Sequence, residues 1–123
     1  MASPRLLVGR RSEPGHWYVI TTVSRDRIPM FTQRSLAHAV IDQIKGVEDD
    51  LAETHAWVVM PDHLHWLMQL NDAERLDRLV QRVKSKSAIA VNRLRSSSGP
   101  VWQAGYFDHR LRADEDLKSQ ARY

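Results

Sequence analysis

Apolar and polar positions along the chain follow two periods, and each period predicts one kind of element. β-Branched and aromatic residues are concentrated in four short segments, which predicts strands at residues 17–23, 54–60, 63–70 and 106–112. Pro61 and Asp62 separate the second segment from the third, and such a pair is typical of a tight turn. We therefore expect these two strands to form an antiparallel pair.

Two longer segments show the helical period instead. The first is predicted to be capped by Thr32, and its apolar positions are Leu36, Val40, Ile41, Ile44 and Val47. The second begins at Asn71 or Asp72 and ends at the Ser-Ser-Ser-Gly-Pro stretch of residues 96–100. Its apolar face is made of Leu76, Leu79, Val80, Val83, Ser87, Ala90, Val91 and Leu94.

The predicted order is strand, helix, strand, strand, helix, strand, followed by a last helix that Asp114 caps and that runs into Tyr123. The first six elements have the order of a ferredoxin-like α+β domain, an antiparallel sheet with helices on one face. A chain of 123 residues suffices for one such domain. The uncovered face of the sheet is then free to carry a site.

Positive charge is concentrated in two segments. The chain has a formal net charge of +3, and the segment from Arg75 to Arg95 holds seven basic residues against the single acid Asp77. A second group of arginines precedes the first helix and includes Arg5, Arg10 and Arg11. This segregation favours a protein that binds a phosphate backbone. A solvated helix face is the alternative, and charge alone does not separate the two.

Composition also excludes several classes. The chain has no cysteine, which excludes a disulfide framework and a thiolate metal site. No apolar run is long enough to cross a bilayer, and the first residues lack the apolar region of a secretory signal. We therefore expect a cytoplasmic protein without a membrane partner.

The candidate chemistry lies in the segment Met60-Pro61-Asp62-His63-Leu64-His65-Trp66. Residues two apart on a strand project from the same face, so His63 and His65 stand side by side while Leu64 turns into the core. Two imidazoles placed in this way can share one divalent ion. Taken alone, the pair is also compatible with two ordinary surface histidines.

A cation held by two imidazoles keeps positions for substrate oxygens and can polarise a phosphodiester. Such a phosphodiester needs a nucleophile, and the tyrosines of the chain are Tyr18, Tyr106 and Tyr123. A phenol of pKa about 10 requires activation by a metal or a base. Tyr123 lies on the predicted last helix, which directly follows a strand, and from this position it could reach the histidines. A C-terminal residue without function is the alternative.

Three segments resemble a known family. They are Gly15-His16-Trp17-Tyr18-Val19-Ile20-Thr21-Thr22, Ala56-Trp57-Val58-Val59-Met60-Pro61-Asp62-His63-Leu64-His65 and Val101-Trp102-Gln103-Ala104-Gly105-Tyr106-Phe107-Asp108-His109. They are similar to segments of the REP-associated tyrosine transposases, which are relatives of the Y1 transposases of IS200/IS605 insertion sequences in the HUH endonuclease superfamily. The resemblance runs from about Pro4 to the last residue.

The resemblance implies that His63 and His65 ligate Mg²⁺ or Mn²⁺ and that Tyr123 is the nucleophile. The tyrosine would attack a phosphodiester of single-stranded DNA beside a hairpin, leaving a 5′-phosphotyrosyl link and a free 3′-hydroxyl. It also implies an arm containing Arg5 and Arg11 that reaches bases next to the hairpin. The expected DNA contacts are Arg5, Arg10, Arg11, Arg82, Lys84, Lys86 and Arg93. Of the tryptophans, Trp66 and Trp102 are assigned to the core rather than to base stacking.

One departure from the family qualifies this interpretation. In the family an Asn or Gln one turn after the tyrosine completes the metal triad, whereas this sequence ends at Tyr123. We therefore expect weak metal binding by the chain as given. The alternative is an inactive, shortened transposase that still binds DNA. Another HUH enzyme or a metal-binding domain with a small-molecule substrate is a further rival, and both a monomer and a homodimer are compatible with the sequence.

Overall fold

The computed structural model describes residues 17–48, 52–71 and 75–111, and it shows four strands and two α-helices in these ranges. The elements are β1 (Trp17–Val23), α1 (Arg34–Val47), β2 (Ala52–Met60), β3 (His63–Leu70), α2 (Leu76–Arg95) and β4 (Phe107–Leu111). The strands form one sheet in the order β2-β3-β1-β4, and each neighbouring pair is antiparallel. The predicted ferredoxin-like α+β architecture is confirmed.

The two faces of the sheet differ in what covers them. Cross-strand partners share a face, and the row of Ile20 and Trp66 lies on the face against which α1 and α2 pack. Ile20 is fully buried, and Trp66 is 1% exposed. The adjacent row of Thr21 and His65 points to the opposite face. Within the described residues, the two helices therefore leave the histidine-bearing face of the sheet uncovered.

The helices contribute the residues that their periodicity predicts, with one exception. From α1 the core takes Leu36, Val40, Ile44 and Val47, and from α2 it takes Leu76, Leu79, Val80, Val83 and Val91. Leu94 has the same helical phase but is 57% exposed, so its assignment to the apolar face is wrong. Helical period determines the direction of a side chain, but not whether the packed layer extends as far as the last turn.

Both helices begin later than predicted. Thr32 lies in a short 3-10 turn, where its hydroxyl donates to the Pro29 carbonyl at 3.0 Å, and Gln33 occupies the N-cap position of α1. The predicted Thr32 cap is therefore wrong, because a local hydrogen bond competes for the hydroxyl. Arg75 is the N-cap of α2, which begins at Leu76 and therefore after the predicted start at Asn71 or Asp72. The predicted last helix lies outside the described residues.

Neither helix of the described ranges is long and apolar enough to span a membrane.

Candidate active site

His63 and His65 lie next to each other on the uncovered face of the sheet. Their Nε2 atoms are 3.1 Å apart, and their ring planes are nearly perpendicular, at 84°. The site lies at the end of the β2–β3 hairpin, where Pro61 and Asp62 form the turn. The pairing predicted from the spacing of the two histidines is therefore present.

A side-chain oxygen lies beside the other ring nitrogen of each histidine. Asp62 Oδ1 is 2.7 Å from His63 Nδ1, and Thr21 Oγ1 is 2.9 Å from His65 Nδ1. Outer partners of this kind are what orient metal-ligating histidines in proteins. Because both Nδ1 atoms are engaged by oxygens, the two Nε2 atoms converge on one point.

The donor set fits a small divalent cation. Ligands at about 2.1 Å from an octahedral ion lie roughly 3.0 Å apart when adjacent, and the two Nε2 atoms are separated by 3.1 Å. Imidazole suits Mn²⁺ among other transition metals, and the remaining positions would be left for water or phosphate oxygens. His63 and His65 are the described residues that could hold such an ion.

Hydrogen bonding and burial shift the pKa values of Asp62 and His65. The hydrogen bond from His63 lowers the pKa of Asp62 below its ordinary value; burial opposes this shift, and Arg27 adds to it. Burial lowers the pKa of His65, and the adjacent His63 lowers it further. A neutral imidazole is the form that binds metal, so the lowered pKa of His65 favours ligation.

The described residues bring no third protein ligand of the common types to this point. Within the ranges that the structure covers, no cluster of three or more His, Cys, Asp or Glu side chains is placed to hold a metal. His55 instead contacts Trp17, with ring centroids 3.7 Å apart. His109 is exposed on β4. Tyr123, predicted as the nucleophile, lies outside the described residues.

The exposed basic residues of α2 lie on the other layer of the molecule. Arg82, Lys86 and Arg93 are exposed, whereas the histidines occupy the face of the sheet that the helices leave uncovered. An open groove of about 620 Å³ runs between α2 and the segment before β4. Its lining includes Arg78, Gln81, Arg82, Lys86, Gly105 and Tyr106. The predicted contacts Arg5, Arg10 and Arg11 lie outside the described residues.

Lys84 corrects the prediction for the basic helix. This residue is 8% exposed, and its ammonium donates to the carbonyl oxygens of Gln103, at 2.7 Å, and of Gly105. One turn further on, Ser87 Oγ accepts from Trp102 Nε1 at 2.9 Å. The assignment of Lys84 as an exposed phosphate contact is wrong, because its ammonium is buried and its hydrogen bonds hold the segment before β4 against α2. The predicted core position of Trp102 is confirmed by its 6% exposure.

Replacing Lys84 with methionine is expected to destabilise the fold by about 1–2 kcal/mol, because two carbonyl groups lose their donor. Burial lowers the pKa of Lys84 to about 8 from an ordinary 10.5. Between these values the unfolded chain binds the proton and the folded chain does not, so the contribution of Lys84 to stability rises with pH. Urea unfolding at several pH values should therefore show a difference between the native and Lys84→Met chains that grows from pH 8 to 10.5. A constant difference would contradict this account.

Two residues of the site were not predicted from the sequence. Thr21 is next to His65 through the β1–β3 register, and Arg27 donates to Asp62 Oδ2 at 3.1 Å. They stand 44 and 35 residues from these partners along the chain. The only signal for Thr21 is a hydroxyl at an outward-facing position of a strand, which many unrelated proteins share.

The fold and the site together define a class: a ferredoxin-like α+β domain whose free sheet face carries paired histidines beside a hairpin turn. The sequence profile of the family described as IS200-like transposases matches residues 13–123. The chain therefore belongs to the IS200-like transposase family.

Two curated relatives have similar sequences. A Haemophilus influenzae protein assigned as a REP-associated tyrosine transposase is 28% identical over 119 residues, and the Escherichia coli REP-associated tyrosine transposase is 26% identical over 113 residues. Each match covers 89% of this chain. The chain spans about two thirds of the length of these relatives, 68% and 63%.

Two solved structures have the same fold. A REP-associated tyrosine transposase bound to a REP hairpin superposes with a TM-score of 0.69 at 21% identity, covering 93% of this chain and 66% of its own. A Deinococcus radiodurans protein assigned as a transposase gives a TM-score of 0.66 at 19% identity, covering 99% of this chain and 93% of its own. At these identities the likeness supports the architecture.

Proposed function

We propose that this protein cleaves and rejoins single-stranded DNA beside hairpin elements, with Mg²⁺ or Mn²⁺ at His63 and His65 and with Tyr123 as the nucleophile. The observation that carries the proposal is the convergence of two Nε2 atoms, 3.1 Å apart, on the uncovered face of the sheet. Membership in the IS200-like family supports the same chemistry. The protein would act in the bacterial cytoplasm, where its DNA lies.

The burial of the two described tyrosines favours Tyr123 as the nucleophile. Tyr18 is 2% exposed and Tyr106 is 6% exposed, so both phenols belong to the core. In the proposed step the Tyr123 phenolate oxygen bonds to the scissile phosphorus, and the 3′-oxygen leaves and takes up a proton. A 3′-hydroxyl can later attack the 5′-phosphotyrosine and release Tyr123, so rejoining needs no external energy source.

A cation at the histidines would supply Lewis-acid stabilisation of the charge that develops on the phosphate. The residues of the chain would provide the geometry for it. Asp62 and Thr21 hold the two rings with their Nε2 atoms towards the open face, and the lowered pKa of His65 keeps that ring neutral. The cation remains part of the proposal.

DNA binding is assigned to the exposed basic residues of α2. Arg82, Lys86 and Arg93 would contact phosphates, which gives affinity without sequence choice. Arg5, Arg10 and Arg11 are proposed to contribute further contacts. Because α2 and the histidines occupy opposite layers, a DNA ligand that touches both has to pass round an edge of the sheet. A relative of the same fold was solved with a REP hairpin, which supports hairpin DNA as the partner.

The test is formation of a covalent adduct between the protein and a hairpin oligonucleotide with a labelled single-stranded flank. With Mn²⁺ or Mg²⁺ present, we expect a shifted band on a denaturing gel, because the phosphotyrosyl bond survives denaturation. Tyr123→Phe should abolish the band while hairpin binding persists. Tyr18→Phe, a matched change of a core phenol, should leave the band unchanged.

Three outcomes would contradict the proposal in different ways. Hairpin binding without any adduct would assign a DNA-binding role without cleavage. An adduct that persists in Tyr123→Phe would assign the nucleophile to another residue. An adduct that forms equally well with a metal chelator would remove the cation from the mechanism.

A further inference from the structure

We propose that the partners of the two histidines differ in chemistry. Asp62, which is oriented by its hydrogen bond from Arg27, keeps His63 in one tautomer. Thr21 allows His65 to change between its two tautomers. Thr21 and Arg27 are thus positioning residues. This inference rests on the proposed function only in assigning a cation to the pair. The arrangement of hydrogens that it requires in the metal-free protein can be measured independently.

The state of His63 follows from the nature of a carboxylate. Ionised Asp62 can only accept hydrogen bonds, and its Oδ1 lies 2.7 Å from His63 Nδ1. The hydrogen of neutral His63 is therefore on Nδ1, and Nε2 carries a lone pair. Arg27 donates to the second carboxylate oxygen, Oδ2, at 3.1 Å. With both oxygens engaged, Asp62 is held in the orientation that His63 requires.

The state of His65 follows from the distance between the rings. At 3.1 Å the two Nε2 atoms are within hydrogen-bond distance, and two lone pairs facing each other there would repel. Since His63 Nε2 has the lone pair, His65 Nε2 carries the hydrogen in the metal-free protein. His65 Nδ1 then accepts from the Thr21 hydroxyl, which lies 2.9 Å away.

Cation binding would require a different tautomer of His65. Both Nε2 atoms must then offer lone pairs, so one proton leaves His65 Nε2 to water and one from water arrives at Nδ1. The ring stays neutral throughout. Thr21 serves both states because a hydroxyl can donate or accept, and after the exchange it accepts from Nδ1–H. A carboxylate at this position would hold a single tautomer, as Asp62 does for His63.

The backbone near Arg27 supports a positioning role. Asp26 and Arg27 have φ angles of 56° and 53°, a left-handed conformation that is unfavourable for non-glycine residues. Hydrogen bonds tie the start of this turn to two other segments: Ser24 N donates to the Asp62 carbonyl and Arg25 N to the Val101 carbonyl, each at 2.8 Å. Strain that the surroundings maintain in this way is typical of functional sites. Here the turn directs Arg27 to Asp62.

The first test is a long-range proton–nitrogen NMR correlation of the imidazole rings in the full chain. Without metal we expect the hydrogen on Nδ1 of His63 and on Nε2 of His65. Saturating Mg²⁺ should move the hydrogen of His65 to Nδ1 and leave His63 unchanged. A metal-free His65 already protonated on Nδ1, or a His65 tautomer that Mg²⁺ leaves unchanged, would overturn the proposal. Neither outcome bears on whether the protein cleaves DNA, which the adduct assay decides.

The second test is the affinity for Mn²⁺ measured by electron paramagnetic resonance. Thr21→Val should weaken binding about tenfold, the lower end of the effect of losing an outer partner, and Thr21→Ser should restore it. The matched control is Thr22→Val, because Thr22 Oγ1 is buried on the helix-covered face and has no hydrogen-bond partner in the part of the chain that the structure describes. Equal affinities in Thr21→Val and Thr22→Val would contradict the role of Thr21.

Arg27 is tested in the same assay. Arg27→Gln should weaken Mn²⁺ binding and broaden the His63 signals, because Asp62 loses the donor that orients it. Lys45→Gln removes the same charge at the far end of α1, where Lys45 is exposed, and should have no effect. Equal behaviour of the two variants would show that Arg27 acts only through its net charge.

Discussion

Replacing both His63 and His65 with alanine is expected to reduce metal-dependent cleavage at least about a thousandfold. A bound cation contributes several kcal/mol to transition-state stabilisation at a phosphoryl group, and each 1.36 kcal/mol changes the rate tenfold. The fold should survive, because the rings lie on the uncovered face of the sheet and are only partly buried. The measurement is the single-turnover cleavage rate of a hairpin oligonucleotide, together with thermal unfolding of both chains.

His38→Ala is the matched control for this experiment. His38 is an exposed imidazole on α1, in the layer opposite to the site, so its loss should leave cleavage unchanged. If the double variant cleaves as fast as the native chain, the histidine pair has no part in the chemistry. If the double variant unfolds near room temperature, the pair is a structural element instead.

Trp66→Ala is expected to have the largest effect on stability, a loss of about 3–5 kcal/mol, the range for a buried tryptophan. Trp66 is 1% exposed and belongs to the buried core that contains residues of both helices. Its Nε1 donates to Thr54 Oγ1 at 3.0 Å, and that hydrogen bond is lost as well. Urea denaturation followed by circular dichroism measures the change in the free energy of unfolding.

Trp57→Ala provides the comparison within one cross-strand pair. Trp57 lies directly opposite Trp66 in the β2–β3 register, yet it is 39% exposed because β2 is the edge strand. Its replacement should cost less than about 1 kcal/mol, as expected for a surface position. Equal losses in the two variants would show that the edge of the sheet is more tightly packed than the structure indicates.

Much of the fold could be predicted from local patterns in the sequence. The pattern of polar and apolar residues predicted each of the four strands to within two residues at each end. For β1 and β3 the predicted bounds are those of the structure. The turn at Pro61 and Asp62 predicted the β2–β3 hairpin. The ends of the helices were harder to predict from the sequence. Thr32 has the side chain of a typical helix cap, but its hydroxyl donates a hydrogen bond within the preceding turn.

The histidine pair illustrates what a sequence determines by itself. A strand repeats every two residues, so the spacing of His63 and His65 already requires that they share a face and that Leu64 and Trp66 point to the other. The structure agrees, with Leu64 and Trp66 each 1% exposed. This inference needs no knowledge of the rest of the chain, because strand geometry is local.

The surroundings of the pair depend on the tertiary structure. Thr21 meets His65 only through the register of β1 against β3, and Arg27 reaches Asp62 only because a strained turn is hydrogen-bonded to two other loops. Lys84 belongs to a basic run that predicts an exposed helix face, but the carbonyls of Gln103 and Gly105 take up its ammonium. Local period determined which residues share a face, whereas contacts between distant segments decided which polar groups became partners. Hydrogen bonds select partners by position in space, and sequence separation does not encode that position.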